Sequence, residues 1–480
     1  MSGWLETLTK WVNAVDDFVW GLPLIVSILA TGVLLTFAIR FRHLLNLKKA
    51  FVYIFHSGDG HHGEVSAFGA LCTALSATIG TGNIVGVATA ITTGGPGALF
   101  WMEVAAFFGM ATKYAEGLLA VKYREVAADG RVLGGPFYYI EKGLGRRWKP
   151  LAVAFAVFGI GSGLFGTGTL AQIHGITSAA QRFFDPGFSA TDSATGICIF
   201  GNCYSLAAII TGAIVTACVA AVVLGGLKRI AKVSMVVVPF MAVSYTLVCA
   251  LLIIGNLDKV PGAIATIIKA AFNPAAVTGG AVGTIFIAMQ KGIARGIFSN
   301  EAGLGSEPIA AAAAKTNEPA QQGLVSMTGT FIDTIFICSM TGLAIVISGA
   351  WDPALKLEGV NVTVEAFSRG LVFIPMGQEL TPLFIMSALA FFAFTTILGW
   401  NYYSEKCLEY LIGMNHPRII KFYRLIYVCV VFIGPYLTVA VVWGVADILN
   451  GLMAFPNLVA LIFLSPVVAK VTRDFVSRNK

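Results

Sequence analysis

Three groups of residues have the types and spacing to bind a small solute together with a cation. The first, Gly80-Thr81-Gly82-Asn83, interrupts an apolar run from Ser66 to Thr92 that is otherwise long enough to cross a bilayer. Lipid offers no hydrogen bonds, so non-helical chain at that depth survives only inside protein or beside an aqueous cavity. A helix broken there presents free N–H groups at the start of its distal half and free C=O groups at the end of its proximal half. The N–H groups near Thr81, Gly82 and Asn83 suit the carboxylate of a zwitterionic amino acid. The carbonyls from Ser76 to Ile79 suit its ammonium and a small cation. The plainer alternative is that Gly80 and Gly82 only let two helices approach closely.

The second group is Phe392, Thr395 and Thr396, at the end of another apolar run. Two adjacent hydroxyls, the Phe392 carbonyl and carbonyls from the first broken helix make a neutral cage of hard oxygens, which suits Na⁺. Threonines that merely bond back to their own helix are the alternative. Trp400, one turn after Thr396, is either a pocket wall or an interfacial anchor. The third candidate is Gln172, an uncharged amide on a helix face shared with Phe165, Gly168 and Thr169. His174 points elsewhere and reads as structural. His56, His61 and His62 lie beside Asp59 and Glu64 in a polar loop, where nothing fixes a metal geometry. Lys113 and Glu116 are one turn apart and form the simplest buried pair, whereas Glu103, Asp333 and Asp447 lack an obvious partner and are candidate coupling-proton carriers. No Ser-His-Asp set, Walker loop, GxSxG elbow or HExxH helix is present, so an enzyme is not expected.

The elements that must position these residues follow from composition. The chain has 480 residues, is 57% hydrophobic and 12% charged, and has a mean hydropathy of +0.80, which indicates an all-α polytopic membrane protein. The first apolar span follows acidic Asp16 and Asp17 rather than a basic stretch, and is expected to be retained. Eleven spans are expected: 19–39, 66–92, 97–121, 151–181, 206–226, 232–255, 281–300, 323–349, 381–401, 425–446 and 449–470. Of 32 Lys and Arg residues, 25 fall in loops on one side and 6 on the other, with Lys113 inside a span. This asymmetry puts the N-terminus outside and the C-terminus in the cytoplasm, and reads the net charge of +7 as topology rather than nucleic-acid binding. Cys198 and Cys203 share a polar loop and are able to pair if that loop is extracytoplasmic.

Apart from the first span, ten remain. Two groups of five necessarily start on opposite sides, the parity of an inverted repeat. The expected division is residues 1–65, an extra N-terminal helix and loop; 66–256, the first repeat; 257–280, a connection; and 281–480, the second repeat with the tail. The run 281–300 then corresponds to 66–92 and is expected to be interrupted at Gly292 and Gly296, which makes Gly292 a further candidate substrate contact.

Five strings carry a resemblance: Ala74 to Ile84, Gly94 to Met102, Ala111 to Glu116, Arg295 to Ser306, and Thr395 to Trp400. Together they resemble the alanine or glycine:cation symporter family, sodium:amino acid symporters of the amino acid–polyamine–organocation superfamily. The resemblance covers nearly the whole chain. It implies a leucine-transporter-like fold with five-plus-five inverted repeats and one additional N-terminal helix. It also implies symport of Na⁺ with alanine, glycine or a similar neutral amino acid across a prokaryotic plasma membrane, by a protein working as a monomer without a cofactor. By similarity, the Thr81 and Gly82 amides meet the substrate carboxylate, Gln172 and Trp400 line the pocket, and Ser76, Ile79, Phe392, Thr395 and Thr396 hold Na⁺. Glu103 departs from the family pattern, where many relatives carry tryptophan, which leaves a proton-linked or packing role open there.

Overall fold

The structure is a computed structural model that describes residues 3–55, 63–127, 130–188, 196–199, 202–273, 278, 284–413, 415–437 and 439–478. The apolar runs become helices whose starts follow local cap chemistry. Ser66 accepts the Gly69 amide (3.0 Å) at the start of one helix, and Ser205 accepts the Ala207 amide (3.2 Å) at another. The main helices are α1 (Gly3–Val19), α2 (Leu22–Ala38), α3 (Ala67–Thr78), α4 (Val87–Gly94), α5 (Gly97–Lys122), α6 (Lys149–Phe165) and α7 (Leu170–Phe184). They continue as α8 (Leu206–Val223), α9 (Leu227–Ile254), α10 (Val260–Phe272), α11 (Ile285–Asn300), α12 (Pro319–Thr330) and α13 (Ser339–Ser348). The last are α14 (Val360–Gly370), α15 (Gly377–Ile412), α16 (Pro417–Ile433) and α17 (Val439–Arg478).

Among the described residues, nine helical stretches are long and apolar enough to cross a membrane, or ten with the bent pair α3 and α4 counted as one span. The expected span that does not qualify is 281–300. Its helix α11 has 16 residues, roughly 24 Å at 1.5 Å per residue. The last two spans also shift. The chain breaks at Gly434–Tyr436 and α17 then runs unbroken from 439 to 478, so the expected boundary near 447 is helix interior.

Helix α5 is the centre of one layer, packed by α11, α12, α2 and α10. Helix α15 is the centre of the other, packed by α6, α7, α9 and α3. Polar site residues are therefore enclosed between two layers. The outer helices show the converse pattern: Val236, Phe240, Val243, Leu247, Leu251 and Ile254 form an exposed stripe along α9. An apolar face that long is tolerated by lipid and not by water.

At one end of the bundle two segments far apart in the chain are tied by main chain. Val65 and Ala314 form a parallel bridge, with Glu64 N–H donating to Ala313 O (2.8 Å) and Lys315 N–H to Val65 O (2.8 Å). The Arg124 guanidinium donates to the carbonyls of Ala312 (2.8 Å), Ala314 (2.7 Å) and Thr316 (2.5 Å). Two short hairpins complete the fold: β1 (Glu125–Val126) with β2 (Val132–Leu133), and β3 (Gly196–Ile199) with β4 (Asn202–Ser205). In the second, Cys203 is disulfide-bonded and the backbone register sets Cys198 opposite it.

Candidate functional site

The first break lies where the sequence places it. Helix α3 stops at Thr78, Ile79 is extended (φ −73°, ψ 98°), and a π-helical turn over Gly82–Gly86 leads into α4, with a bend of 52°. In an unbroken helix the Gly80 and Thr81 amides would bond to the carbonyls of Ser76 and Ala77. Here the Gly80 amide bonds to Asn83 Oδ1 (2.9 Å) and the Thr81 amide to Gln172 Oε1 (3.4 Å). Only glycine fits at position 80, because a β-carbon there would lie 2.6 Å from Thr396 Oγ1 and 3.4 Å from Gln172 Oε1.

The hydroxyl pair of α15 meets the broken end of α3. Thr396 Oγ1 donates to Ile79 O at 3.3 Å and to Phe392 O at 3.0 Å, and Thr395 Oγ1 donates to Phe392 O at 2.9 Å. Ile79, Phe392, Thr395 and Thr396 are thus gathered at one buried spot, with Ser76 one turn before Ile79 and also buried. The Ser76 hydroxyl is turned to Thr73 O (2.7 Å), so its main-chain carbonyl is the group available to a ligand. Such a set of neutral oxygens fits a small monovalent cation.

Beside it, Thr81 Oγ1 is fully buried and without a hydrogen-bond partner among the described residues. A buried hydroxyl left this way costs free energy unless a ligand satisfies it. Gly82 lies against Ser299 of α11, where a β-carbon would stand 3.2 Å from Ser299 Cα. The Asn83 side chain braces the break, while its main-chain N–H, the group expected to meet a carboxylate, lies 3.3 Å from Gly80 O. Its side-chain nitrogen donates to Asp333 Oδ1 (2.7 Å), and its side-chain oxygen holds the Gly80 amide. Asp333 also accepts from Ser299 (2.8 Å) and Thr334 (2.7 Å), so this buried carboxylate does have partners.

A second break exists, but it begins at Glu301, five residues beyond the later of the two glycines expected to make it. Helix α11 runs through Gly292 and Gly296 without interruption. A β-carbon on Gly292 would lie 2.1 Å from Ala98 O, so this glycine serves close packing against α5. The helix ends at Asn300, and helical geometry returns at Pro308–Ala311. In between, Glu301 is left-handed (φ 57°), as are Gly303 (φ 89°) and Gly305 (φ 81°). Glu301 accepts from Trp400 Nε1 (2.9 Å) and from Ser306 Oγ (2.5 Å), which fixes the indole of the expected pocket wall.

Lys113 does not pair with Glu116. It reaches Glu307 at 2.7 Å, with side chains 1% and 4% exposed, while Glu116 accepts from Asn457 Nδ2 (2.6 Å). Helical neighbours competed with a partner 194 positions away, and the break supplied the better geometry. Asp447 approaches Arg295 at 3.6 Å. Lys291 and Arg295 line a cavity with Asp16 and Asp447 and so stand at the end of the bundle opposite Arg124. Moving these two to that side leaves 23 basic residues against 8, and the asymmetry survives. Glu301, Glu307 and Asn457 escaped the sequence reading, although a left-handed stretch rich in glycine after Asn300 was a visible signal. His56, His61, His62 and Asp59 lie outside the described residues. Among the described residues, no group of His, Cys, Asp and Glu is arranged to hold a metal.

Comparison with known proteins gives the family and the fold. An uncharacterized transporter of Haemophilus influenzae is 50% identical over 99% of this chain and 97% of its own. A sodium/alanine symporter, AgcS, of Methanococcus maripaludis is 46% identical over 97% of this chain and 96% of its own. The crystal structure of MhsT in complex with L-phenylalanine matches 86% of this chain and 99% of that one with a TM-score of 0.54 at 13% identity, which places the fold among leucine-transporter-like proteins. The family described as sodium:alanine symporters matches residues 5–480. This is a membrane transporter and not an enzyme, and it belongs to the sodium:alanine symporter family.

Proposed function

We propose that the protein imports a small neutral amino acid, alanine or glycine, together with Na⁺ by alternating access around the two breaks. The observation that carries this reading is the meeting of Ile79 O with Phe392 O and the Thr395 and Thr396 hydroxyls, two residues from the unsatisfied Thr81 hydroxyl. Na⁺ sits among the carbonyls before Gly80. The substrate carboxylate takes the Thr81 and Gly82 amides, displacing the long contact to Gln172 Oε1. Both ligands then fasten the same short unwound strand, so each stabilises the conformation that the other needs. Trp400, 1% exposed and held by Glu301, closes the pocket against larger side chains.

Residues 66–256 and 281–480 act as the two inverted repeats. The basic-residue asymmetry supports an extracytoplasmic N-terminus in a prokaryotic plasma membrane. The Val65–Ala314 bridge and the Arg124 clamp then close the cytoplasmic end, while cavities at the Arg182 and Glu358 end open outward. A monomer contains every residue of this site. Coupling to Na⁺ is favoured over coupling to protons because Asp333, the carboxylate nearest the break, is occupied by Asn83, Ser299 and Thr334. The test is uptake of labelled alanine by proteoliposomes. Collapse of the Na⁺ gradient abolishes concentrative uptake; accumulation that persists on a pH gradient alone would overturn the Na⁺ reading and turn attention to Glu103.

A further inference from the structure

We propose that Tyr427 is a positioning residue through which cation binding acts on the substrate pocket, by way of a third break that carries Gln172. The inference rests on the amino-acid symport reading and adds to it a residue outside both binding sites.

The expected span 151–181 is not one regular helix. Helix α6 stops at Phe165, Gly166 (φ −110°, ψ −140°) and Thr169 (φ −133°, ψ −69°) leave helical geometry, and α7 starts at Leu170. The two pieces still belong to one apolar stretch of 39 residues, Arg146–Phe184. Side chains hold the interruption. The Thr169 hydroxyl donates to Leu164 O, and Asn450 of α17 donates to the Thr167 hydroxyl while accepting from the Ser162 hydroxyl. The amides of Gly166 (3.1 Å) and Gly168 (3.2 Å) both bond to Ser162 O. A stretch held this way, in place of a regular helical ladder, shifts at lower cost than the helices around it.

Tyr427 of α16 joins this break to the cation site. Its side chain is fully buried, and its hydroxyl lies 2.7 Å from Ile397 O and 3.1 Å from Gly168 O. Ile397 directly follows Thr396, and Gly168 stands one turn before Gln172. A single phenolic proton serves both carbonyls, so the hydroxyl holds them together. Phenylalanine would fill the same space with no buried hydroxyl to satisfy, so packing alone does not account for the oxygen.

The break borders the pocket at two places. A β-carbon on Gly168 would lie 2.5 Å from Trp400 Cβ, and Gln172 Oε1 receives the Thr81 amide at 3.4 Å. Na⁺ held by Ile79 O, Phe392 O and the Thr395 and Thr396 hydroxyls fixes the turn that leads into Ile397. Tyr427 passes that constraint to Gly168, and Gln172 is then held where the substrate carboxylate meets it beside the Thr81 amide.

The test is equilibrium binding of labelled alanine to the full-length protein in nanodiscs, at limiting and at saturating Na⁺. The ratio of the two dissociation constants measures the coupling between the sites. Tyr427→Phe keeps the ring and deletes the oxygen. It is expected to lower the ratio roughly two- to tenfold, the scale of one neutral hydrogen bond, with Na⁺ affinity in the absence of alanine unchanged. Thr167→Val cuts the tie from Asn450 to the same break, is expected to lower the ratio as well, and carries the test alone if Tyr427→Phe does not fold. Tyr423→Phe, which removes a buried hydroxyl one turn earlier on α16, keeps the wild-type ratio. In a Gln172→Ala background, Tyr427→Phe causes no further loss of coupling. A purely structural tyrosine would lower the melting temperature and leave the ratio alone. A folded Tyr427→Phe or Thr167→Val protein with the wild-type ratio therefore overturns the proposal, as does an equal loss in Tyr423→Phe or a loss that adds to that of Gln172→Ala. Wild type that binds alanine equally with and without Na⁺ removes the symport reading itself.

Discussion

Replacing Thr396 by valine is the sharpest probe of the cation site, because it deletes one oxygen and keeps the volume. Thr396 Oγ1 lies 3.3 Å from Ile79 O and 3.0 Å from Phe392 O, so it belongs to the oxygen cluster and not to the surface of the helix alone. A hydrogen-bond-type contact to a charged group contributes about 1.5–3 kcal/mol. At about 1.4 kcal/mol per factor of ten, loss of one such ligand weakens Na⁺ binding roughly 10- to 150-fold. Linkage requires the same factor in alanine affinity at subsaturating Na⁺, and little change when Na⁺ saturates. The assay is the half-saturating Na⁺ concentration for alanine uptake in proteoliposomes, with Thr396→Ser as the variant that restores the hydroxyl. If Thr396 only bonds back to its own helix, valine costs about 1 kcal/mol of stability and leaves the Na⁺ response alone. A folded Thr396→Val protein with a half-saturating Na⁺ concentration within twofold of wild type would refute the cation site as drawn.

Gly80→Ala places a methyl group 2.6 Å from Thr396 Oγ1 and is expected to cut Na⁺-stimulated uptake at least tenfold, read in the same assay. Lys113→Met leaves Glu307 buried without its partner and should cost about 3–5 kcal/mol in stability, measured by melting in detergent; adding Glu307→Gln should recover most of it. His43 lies outside the spans, fully buried with neither ring nitrogen hydrogen-bonded among the described residues, and burial lowers its pKa from 6.5 to about 4. Its neutral form is the folded one, so the stability it contributes is complete above pH 6.5 and is lost as pH falls toward 4. The loss is about 3 kcal/mol at most, and a His43→Phe protein should show a flatter melting profile across that window.

Much of the site was legible because its chemistry is local. A glycine-bracketed interruption within a bilayer-length run, and two adjacent threonines ending another, are patterns within about ten residues of chain, and the structure brings the two together. Gly292 shows where such reasoning stops. Glycine serves broken helices and tight helix crossings alike, and the choice depends on Ala98, which approaches from another helix. Asn83 is a similar case: that its side chain would brace the break depends on Asp333, 250 positions later. Trp400 was singled out from its own helix, but the residue that holds its indole, Glu301, lies in the second break.

By itself the sequence determined that the chain has many membrane-length apolar helices, and where the first break and its threonine partners lie. Those properties follow from hydropathy, charge and backbone preference, each of which acts over one helix length. The tertiary structure alone decided which buried charges neutralise one another, where α11 gives way, and which end of the bundle is clamped by Arg124. Pairing energies of that kind depend on distances of a few ångströms between residues far apart in the chain, and such distances exist only once the two layers have packed.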